Sequence, residues 1–318
     1  LLKGKTILLT GGTGSFGKAF LKAALEHEIR QIRVFSRDEL KQAEMAKEFN
    51  DPRIEYLMGD VRDYDRLRMA TKGCDLVVHA AAIKRIEKAE RDPEEAIKTN
   101  INGTINVAKA CLENQVENAI LISTDKACEP INLYGATKMV AEKYWIAANT
   151  YRGANYACRF SVVRYGNVMG SRGSVVPMFK EQAKEGVIKV THQEMTRYFI
   201  ELDSAVDLVL CAVEWGQGGE ILLPELKAAS IVALAAAVNS DARIQVTAPN
   251  PSEKLHEQLF NMSEAYRMTQ EDGYIIIHPE KPSFPYKQPK KFMEAVPSTS
   301  ETAEHYDIYE LRSLVQRA

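Results

Sequence analysis

Short β-rich runs alternate with amphipathic stretches through the first half of the chain, the pattern of stacked βαβ units around a parallel sheet. Thr6–Thr10 (TILLT) is the first expected strand, and Ser15 to about His27 its helix. Ile32–Ser36 is the second strand, followed by a charged helix around Asp38–Phe49. Ile54–Met58, Leu76–Ala80 and Ala119–Ser123 supply three more strands, a long helix starts near Tyr134, and Phe160–Tyr165 resumes the sheet. From about Asn167 the rhythm loosens, with Pro177, Pro224 and Pro251 among the residues that break it into short elements. The fold expected is therefore α/β, a doubly wound parallel (Rossmann) sheet over residues 1–166 to which later strands can return. Residues 167–318 are expected to form mostly a smaller substrate-binding lobe and a C-terminal tail. Ser230 to Val238 reads as a buried Ala-rich helix, and the segment from about Glu280 as a surface tail with a last helix near Glu310–Gln316.

Composition narrows the class. The 318 residues carry 41 basic and 43 acidic side chains, a balance that argues against a nucleic-acid partner. No apolar run approaches the roughly 20 residues that span a bilayer, and the opening LLKGKTILLT enters a strand with no cleavable signal pattern. Cys74, Cys111, Cys128, Cys158 and Cys211 are scattered without a C-x-x-C pair, which suits reduced thiols in a cytoplasmic protein. His79 and His256 lack partners at ligand spacing, so they read as structural and no metal site is expected.

The first strand runs into Gly11-Gly12-Thr13-Gly14-Ser15-Phe16-Gly17. Between a strand and a helix, such a turn brings backbone and a helix N-terminus to a dinucleotide pyrophosphate. Gly11 is expected to make the tight turn, Gly14 to admit the phosphates and Gly17 to let the helix sit against the sheet. After the second strand stands Ser36-Arg37 where an NAD site places a carboxylate, with Lys41 a turn later. A hydroxyl and a guanidinium suit a 2′-phosphate, so NADP is the expected cofactor. Asp60 and Val61 are placed beside the adenine, and Ala80, Ala81 and Ala82 are small enough for the cofactor to lie across the sheet edge.

Thr124-Asp125-Lys126 follows the fifth strand, and Tyr134-Gly135-Ala136-Thr137-Lys138 is Y-x-x-x-K. On a helix, Tyr134 and Lys138 share a face. An ammonium there, reaching a ribose hydroxyl as well, is expected to lower the tyrosine pKa toward the range useful for proton transfer.

TGGTGSFG, GDVRD, HAAAIK, KTNINGT, STDKA, PINLYGATK and VVRYGNVMGSRGSVVP together resemble the extended short-chain dehydrogenase/reductases. Within them the chain is most similar to the inverting UDP-N-acetylglucosamine 4,6-dehydratases that open pseudaminic acid biosynthesis. The similarity is dense from about Lys5 to Pro177 and resumes at Met195-Thr196-Arg197 and Glu253-Lys254-Leu255-His256-Glu257. It implies that Tyr134, Lys138 and Thr124 serve oxidation at C4, Lys126 handles the C5 proton, and Asp125 assists departure of the C6 hydroxyl. Epimerases of the superfamily have small residues in place of Asp-Lys, and retaining dehydratases typically Asp-Glu. The resemblance further implies a sugar-nucleotide pocket from Lys84, Asn167, Arg172, Ser174, Met178, Arg197 and Glu253, with Lys84 also near the cofactor, and a homo-oligomer, often a hexamer. Glu194 and Asn250 stand where relatives carry arginines, which leaves the identity of the sugar nucleotide open. The alternatives are another sugar-nucleotide enzyme (a retaining dehydratase or a 4-epimerase) and a non-catalytic dinucleotide-binding regulator.

Overall fold

The computed structural model describes residues 1–152, 158–248 and 250–318. Six parallel strands form first: β1 (Thr6–Thr10), β2 (Gln31–Ser36), β3 (Ile54–Met58), β4 (Leu76–His79), β5 (Asn118–Ile122) and β6 (Arg159–Val163). Then come β7 (Asn167–Val168), β8 (Val187–Val190), β9 (Thr196–Ile200), β10 (Ile221–Pro224), β11 (Ala228–Ser230), β12 (Arg243–Val246), β13 (Met268–Glu271) and β14 (Tyr274–Ile277). The main sheet runs β13-β14-β10-β6-β5-β4-β1-β2-β3. Strand β10 joins β6 in parallel, whereas β14 and β13 extend the edge antiparallel. Apolar strands buried on both faces are what a helix-covered sheet requires. Phe35, Val77, Trp145 and Phe160 pack on one face, and Leu9, Phe20, Val78 and Val209 on the other.

Chain order reverses between β1 and β4, the kind of switch point at which open α/β sheets take a ligand at the carboxyl ends of their strands. Thr10, the last residue of β1, pairs with Phe35 and His79, so the turns after β1, β2 and β4 share one rim.

Strands β11-β9-β7 and β12-β8 form two small sheets beside this rim. Helix Val175–Lys184 and helix Ile231–Val238 cover a separate core of Val176, Phe179, Ile188, Phe199 and Leu234. The tail expected on the surface is in part core. Leu311, Leu314 and Val315 make an i, i+3, i+4 stripe on helix Ile308–Arg317 that completes this core, and Ser300 is fully buried. No helix among the described residues is long and apolar enough to cross a membrane.

Candidate active site

The glycine-rich turn fits a dinucleotide phosphate. Gly11 has φ +67°, and a Cβ there would lie 2.7 Å from Ala81 N, so the turns after β1 and β4 close on each other only through glycine. Helix Ser15–Leu25 starts directly behind it, with no side-chain cap on its first amides, the arrangement that receives anions. Gly17 departs from its expected role: a Cβ would meet Gly12 backbone at 2.2 Å, so it seats the helix on the turn rather than on the sheet. Thr13 is buried, Phe16 stacks along Phe20, and Ser15 Oγ accepts from Arg172 N at 3.0 Å. The loop holding Arg172 therefore reaches the phosphate turn.

The residues expected at the adenosine end gather on the same rim, with rearranged partners. Arg37 is 58% exposed at its side chain and lies 3.6 Å from Asp60, not beside Asp38. Asp38 instead caps helix Glu39–Glu48 and binds Lys41 Nζ at 2.5 Å. Ser36 Oγ accepts from Gln42 Nε2 at 3.0 Å. The Asp60 carboxyl sits below its usual range: burial opposes this, but the Arg62 hydrogen bonds and Arg37 prevail. Val61 is buried, its carbonyl accepting from Asn106 Nδ2 at 3.1 Å. Of the three alanines, Ala81 closes on Gly11, and Ala80 N bonds Thr10 O at 3.2 Å. His79, just before them, bonds Thr10 and Thr104 through its two ring nitrogens, and burial lowers it to about 3, so it is a neutral structural histidine.

Asn100 fixes the next loop. It lies in the π-turn Lys98–Asn102, a distortion that often marks functional positions. Its amide bonds Ile83 N, Ile83 O and Thr137 Oγ1 at 2.8, 3.0 and 3.0 Å, joining the loop after β4 to helix Leu133–Ala147. Adjacent Lys84 is exposed, yet burial of its ammonium lowers its pKa.

At the end of β5, Thr124 Oγ1 donates to Asp125 Oδ1 at 2.9 Å, and Lys126 Nζ donates to the same oxygen at 3.0 Å. Asp125 is fully buried, and its Oδ2 has no hydrogen-bond partner. Tyr134 comes close because helix Leu133–Ala147 begins against this turn: a Cβ on Gly135 would lie 2.2 Å from Lys126 O. Asn132 caps that helix through Gly135 N at 2.8 Å and holds Ser252 O at 2.9 Å with its amide nitrogen. The Tyr134 hydroxyl bonds Thr124, and burial pushes it up to about 12 against the pull of Lys126. Lys138, one turn beyond Tyr134, is buried. Its Nζ donates to Ile122 O at 2.5 Å, and burial, partly offset by Glu142, lowers it to about 8. Lys126 draws the Tyr134 hydroxyl down, with Asp125 opposing.

The charge of Lys126 is set by its surroundings. Burial alone would lower it, but Asp125 and Glu257 outweigh burial and raise it, so the site as it stands keeps the ammonium. Burial raises the Asp125 carboxyl, with Lys126 opposing. Lys126 Nζ further donates to Asn167 Oδ1 at 3.0 Å and lies 3.4 Å from Glu257 Oε1. Glu257 was missed as a site residue. Its only signal in the chain is the closing residue of Glu253-Lys254-Leu255-His256-Glu257, which pattern alone cannot bring to Lys126.

The remaining substrate-pocket candidates divide. Ser174 precedes helix Val175–Lys184 with its Oγ buried and unpartnered, and Met178 stands 48% exposed one turn on. Glu253 lies half-buried beside Lys254. Arg197, buried at 5% exposure, donates to Thr196 O, Leu255 O and Lys254 O. Lys254 donates to Cys128 O at 2.6 Å and lies 3.6 Å from Glu257. Lys254 and Arg197 both help to draw the Glu257 carboxyl down. Glu194 is exposed, and Asn250 Oδ1 closes a local turn onto Ser252 N at 3.1 Å.

Residues 7–279 match the family described as "Polysaccharide biosynthesis protein". The chain is 47% identical over 278 residues, 86% of itself and 83% of the relative, to a UDP-N-acetylglucosamine 4,6-dehydratase (inverting) of Campylobacter jejuni. It is 43% identical to a UDP-glucose 4-epimerase of Rickettsia conorii, covering 82% of this chain and 79% of that protein. Among solved structures, Pen from Bacillus thuringiensis superposes with a TM-score of 0.93 at 34% identity, covering 100% of this chain and 98% of that one. With a matched span that takes in both the glycine turn and the Asp125–Lys126–Glu257 cluster, the chain belongs to the polysaccharide biosynthesis protein family, on the Rossmann fold of the extended short-chain dehydrogenase/reductases.

Proposed function

We propose that this protein carries out NADP-dependent 4,6-dehydration with C5 inversion of UDP-N-acetylglucosamine. The product is UDP-2-acetamido-2,6-dideoxy-L-arabino-hexos-4-ulose, the opening step toward pseudaminic acid or a related sugar. The observation that carries this reading is the buried Asp125–Lys126 pair, joined through Thr124 to Tyr134. Hydride shuttling at C4 alone has no use for a buried carboxylic acid and a lysine beside the tyrosine, whereas elimination needs a base and an acid. The relative from Campylobacter jejuni bears the same activity in its name.

Gly11, Gly14 and the start of helix Ser15–Leu25 would hold the pyrophosphate, and Arg37 the 2′-phosphate. When bound, NADP supplies hydride acceptance from C4 and hydride return to C6. Tyr134 takes the proton of the C4 hydroxyl. Lys126 Nζ, once neutral, takes the C5 proton, and the electron pair of the C5–H bond moves toward the C4 carbonyl oxygen. That pair then expels the C6 hydroxyl, which leaves as water with the proton that Lys126 took from C5 and passes on through Asp125. A proton from solvent, delivered to C5 on the opposite face after hydride has returned to C6, completes the inversion. Because Asp125 and Glu257 hold Lys126 charged, C5 exchange is expected to rise with pH as Lys126 deprotonates.

Incubation with UDP-N-acetylglucosamine in deuterated water, followed by NMR, tests this. Deuterium at C5 with a new C6 methyl group is expected, the couplings reporting inversion. A C4 epimer without a methyl group would make the protein an epimerase. A second expected result concerns the cofactor: Arg37→Ala should weaken NADP binding about tenfold or more and leave NAD binding nearly unchanged in fluorescence titration. Equal losses for both would remove Arg37 from the 2′-phosphate.

A further inference from the structure

Lys126 is gripped by two carboxylates that arrive from different parts of the chain. Asp125 comes from the end of β5, and Glu257 from the lobe segment after residue 250. We propose that Glu257 is a positioning residue of the active site: it holds Lys126 from the lobe side and, opposite Asp125, sets the charge state in which Lys126 meets the sugar. The proposal rests on the dehydratase reading above and adds to it a group from the lobe.

Three observations support it. First, Glu257 is 2% exposed and its Oε1 stands 3.4 Å from Lys126 Nζ, so the contact is shielded from solvent and retains strength. Second, Oε2 is buried without a hydrogen-bond partner, 3.6 Å from Lys254 Nζ. A carboxylate serving only to pin the lobe would be expected to have both oxygens satisfied. Third, the backbone around Glu257 is held on both sides. Ser300 Oγ accepts from Glu257 N at 2.9 Å, Ser300 N donates to Glu257 O at 2.8 Å, and Arg197 secures Lys254 O and Leu255 O.

The charged and titratable groups facing this pair are Asp125, Arg197 and Lys254. Tyr134 and Tyr198 lie near Asp125, and Cys128 near Lys254. His256 turns away, bonding Thr196 Oγ1 at 2.8 Å with Glu301 at 3.7 Å. Burial opposes ionisation of Glu257, but Lys126, Arg197 and Lys254 hold it below the usual glutamate range. It is therefore negative at neutral pH, and removing it takes away one of the two charges that raise Lys126.

The test follows the Lys126 ammonium by NMR of protein carrying 15N-labelled lysine, the signal being identified by its loss in Lys126→Met. Glu257→Gln is expected to lower the lysine titration by about one pH unit or more. The rising limb of C5 deuterium exchange should move to lower pH with it. Glu257→Asp should shift both in the same direction by less, and it decides the question alone if the glutamine variant does not fold. A lysine titration that stays in place, or an exchange rate that falls with its limb unmoved, would overturn the role of Glu257. Absence of C5 deuterium with the unaltered protein would overturn the dehydratase reading instead, so the two failures are distinguishable.

Discussion

Lys126→Met should abolish exchange of the C5 hydrogen with solvent and lower formation of the 6-deoxy product by about 10²–10⁴-fold, the usual worth of a positioned acid or base. The loss should be selective. Thr124, Tyr134 and Lys138 stay in place, so oxidation at C4 should continue, slowed by the loss of the cation that draws Tyr134 down, and a small amount of reduced cofactor should accumulate in single-turnover absorbance measurements. Methionine approximates the length of lysine without its charge, which limits repacking around Asp125, Asn167 and Glu257. The two carboxylates would then face each other without the cation, and one of them should take up a proton. Continued C5 exchange in this variant would remove Lys126 from the elimination and shift attention to Glu257 or Asp125 as the base.

Arg164→Ala should cost about 3–5 kcal/mol of stability, read from urea unfolding. Arg164 is 2% exposed and binds two buried carboxylates at once. Its guanidinium meets Glu142 at 2.6 Å and Glu264 at 2.9 Å, and donates to Leu259 O at 2.7 Å. Glu142 lies one turn beyond Lys138 on the tyrosine-bearing helix, whereas Glu264 caps helix Met262–Ala265 in the later part of the chain. The triad thus ties the sheet, the catalytic helix and the returning segment together. Alanine would leave both carboxylates without their cation, which is why breaking the network costs more than the network itself contributes. A pH signature accompanies this. Burial raises Glu264, but Arg164 more than offsets it and the carboxyl ends below the usual glutamate range. A lowered acid stabilises the fold above its unfolded pKa and loses that contribution as pH falls through the folded one. Unaltered protein should therefore lose this part of its stability below about pH 4.5, and in Arg164→Ala the dependence should shrink or reverse. A cost under about 1 kcal/mol would show that the network is solvated.

The strands that build the rim were legible because each is a short, mainly apolar run, fully buried at β1 and β4 and half-buried at the edge strand β3. Thr6–Thr10 and Ile54–Met58 coincide with their expected bounds, β2 and β4 differ by one residue at one end, and β5 and β6 differ by one or two residues at both ends. The glycine turn was legible for the same local reason: its spacing is a backbone requirement, and the structure gives Gly11 the positive φ that requirement implies. Tyr134 and Lys138 were identifiable as neighbours from helical spacing. What Lys138 does was not, since its partner Ile122 O belongs to another element. Arg197 illustrates the converse: its guanidinium donates to Lys254 O and Leu255 O, which only the folded lobe brings to it.

By itself the sequence determined the parallel sheet, the dinucleotide turn and the presence of an aspartate, a lysine and a tyrosine near one strand end, because each depends on spacing along a single strand, turn or helix. Only the tertiary structure decided the electrostatics of that end. It set Glu257 against Lys126 across a separation of 131 residues, gave Asp125 no solvent, and turned Lys138 inward. The physical reason is range. Periodicity is a local property of the backbone, whereas the charge a buried lysine keeps depends on every carboxylate that folding places within a few ångströms of it.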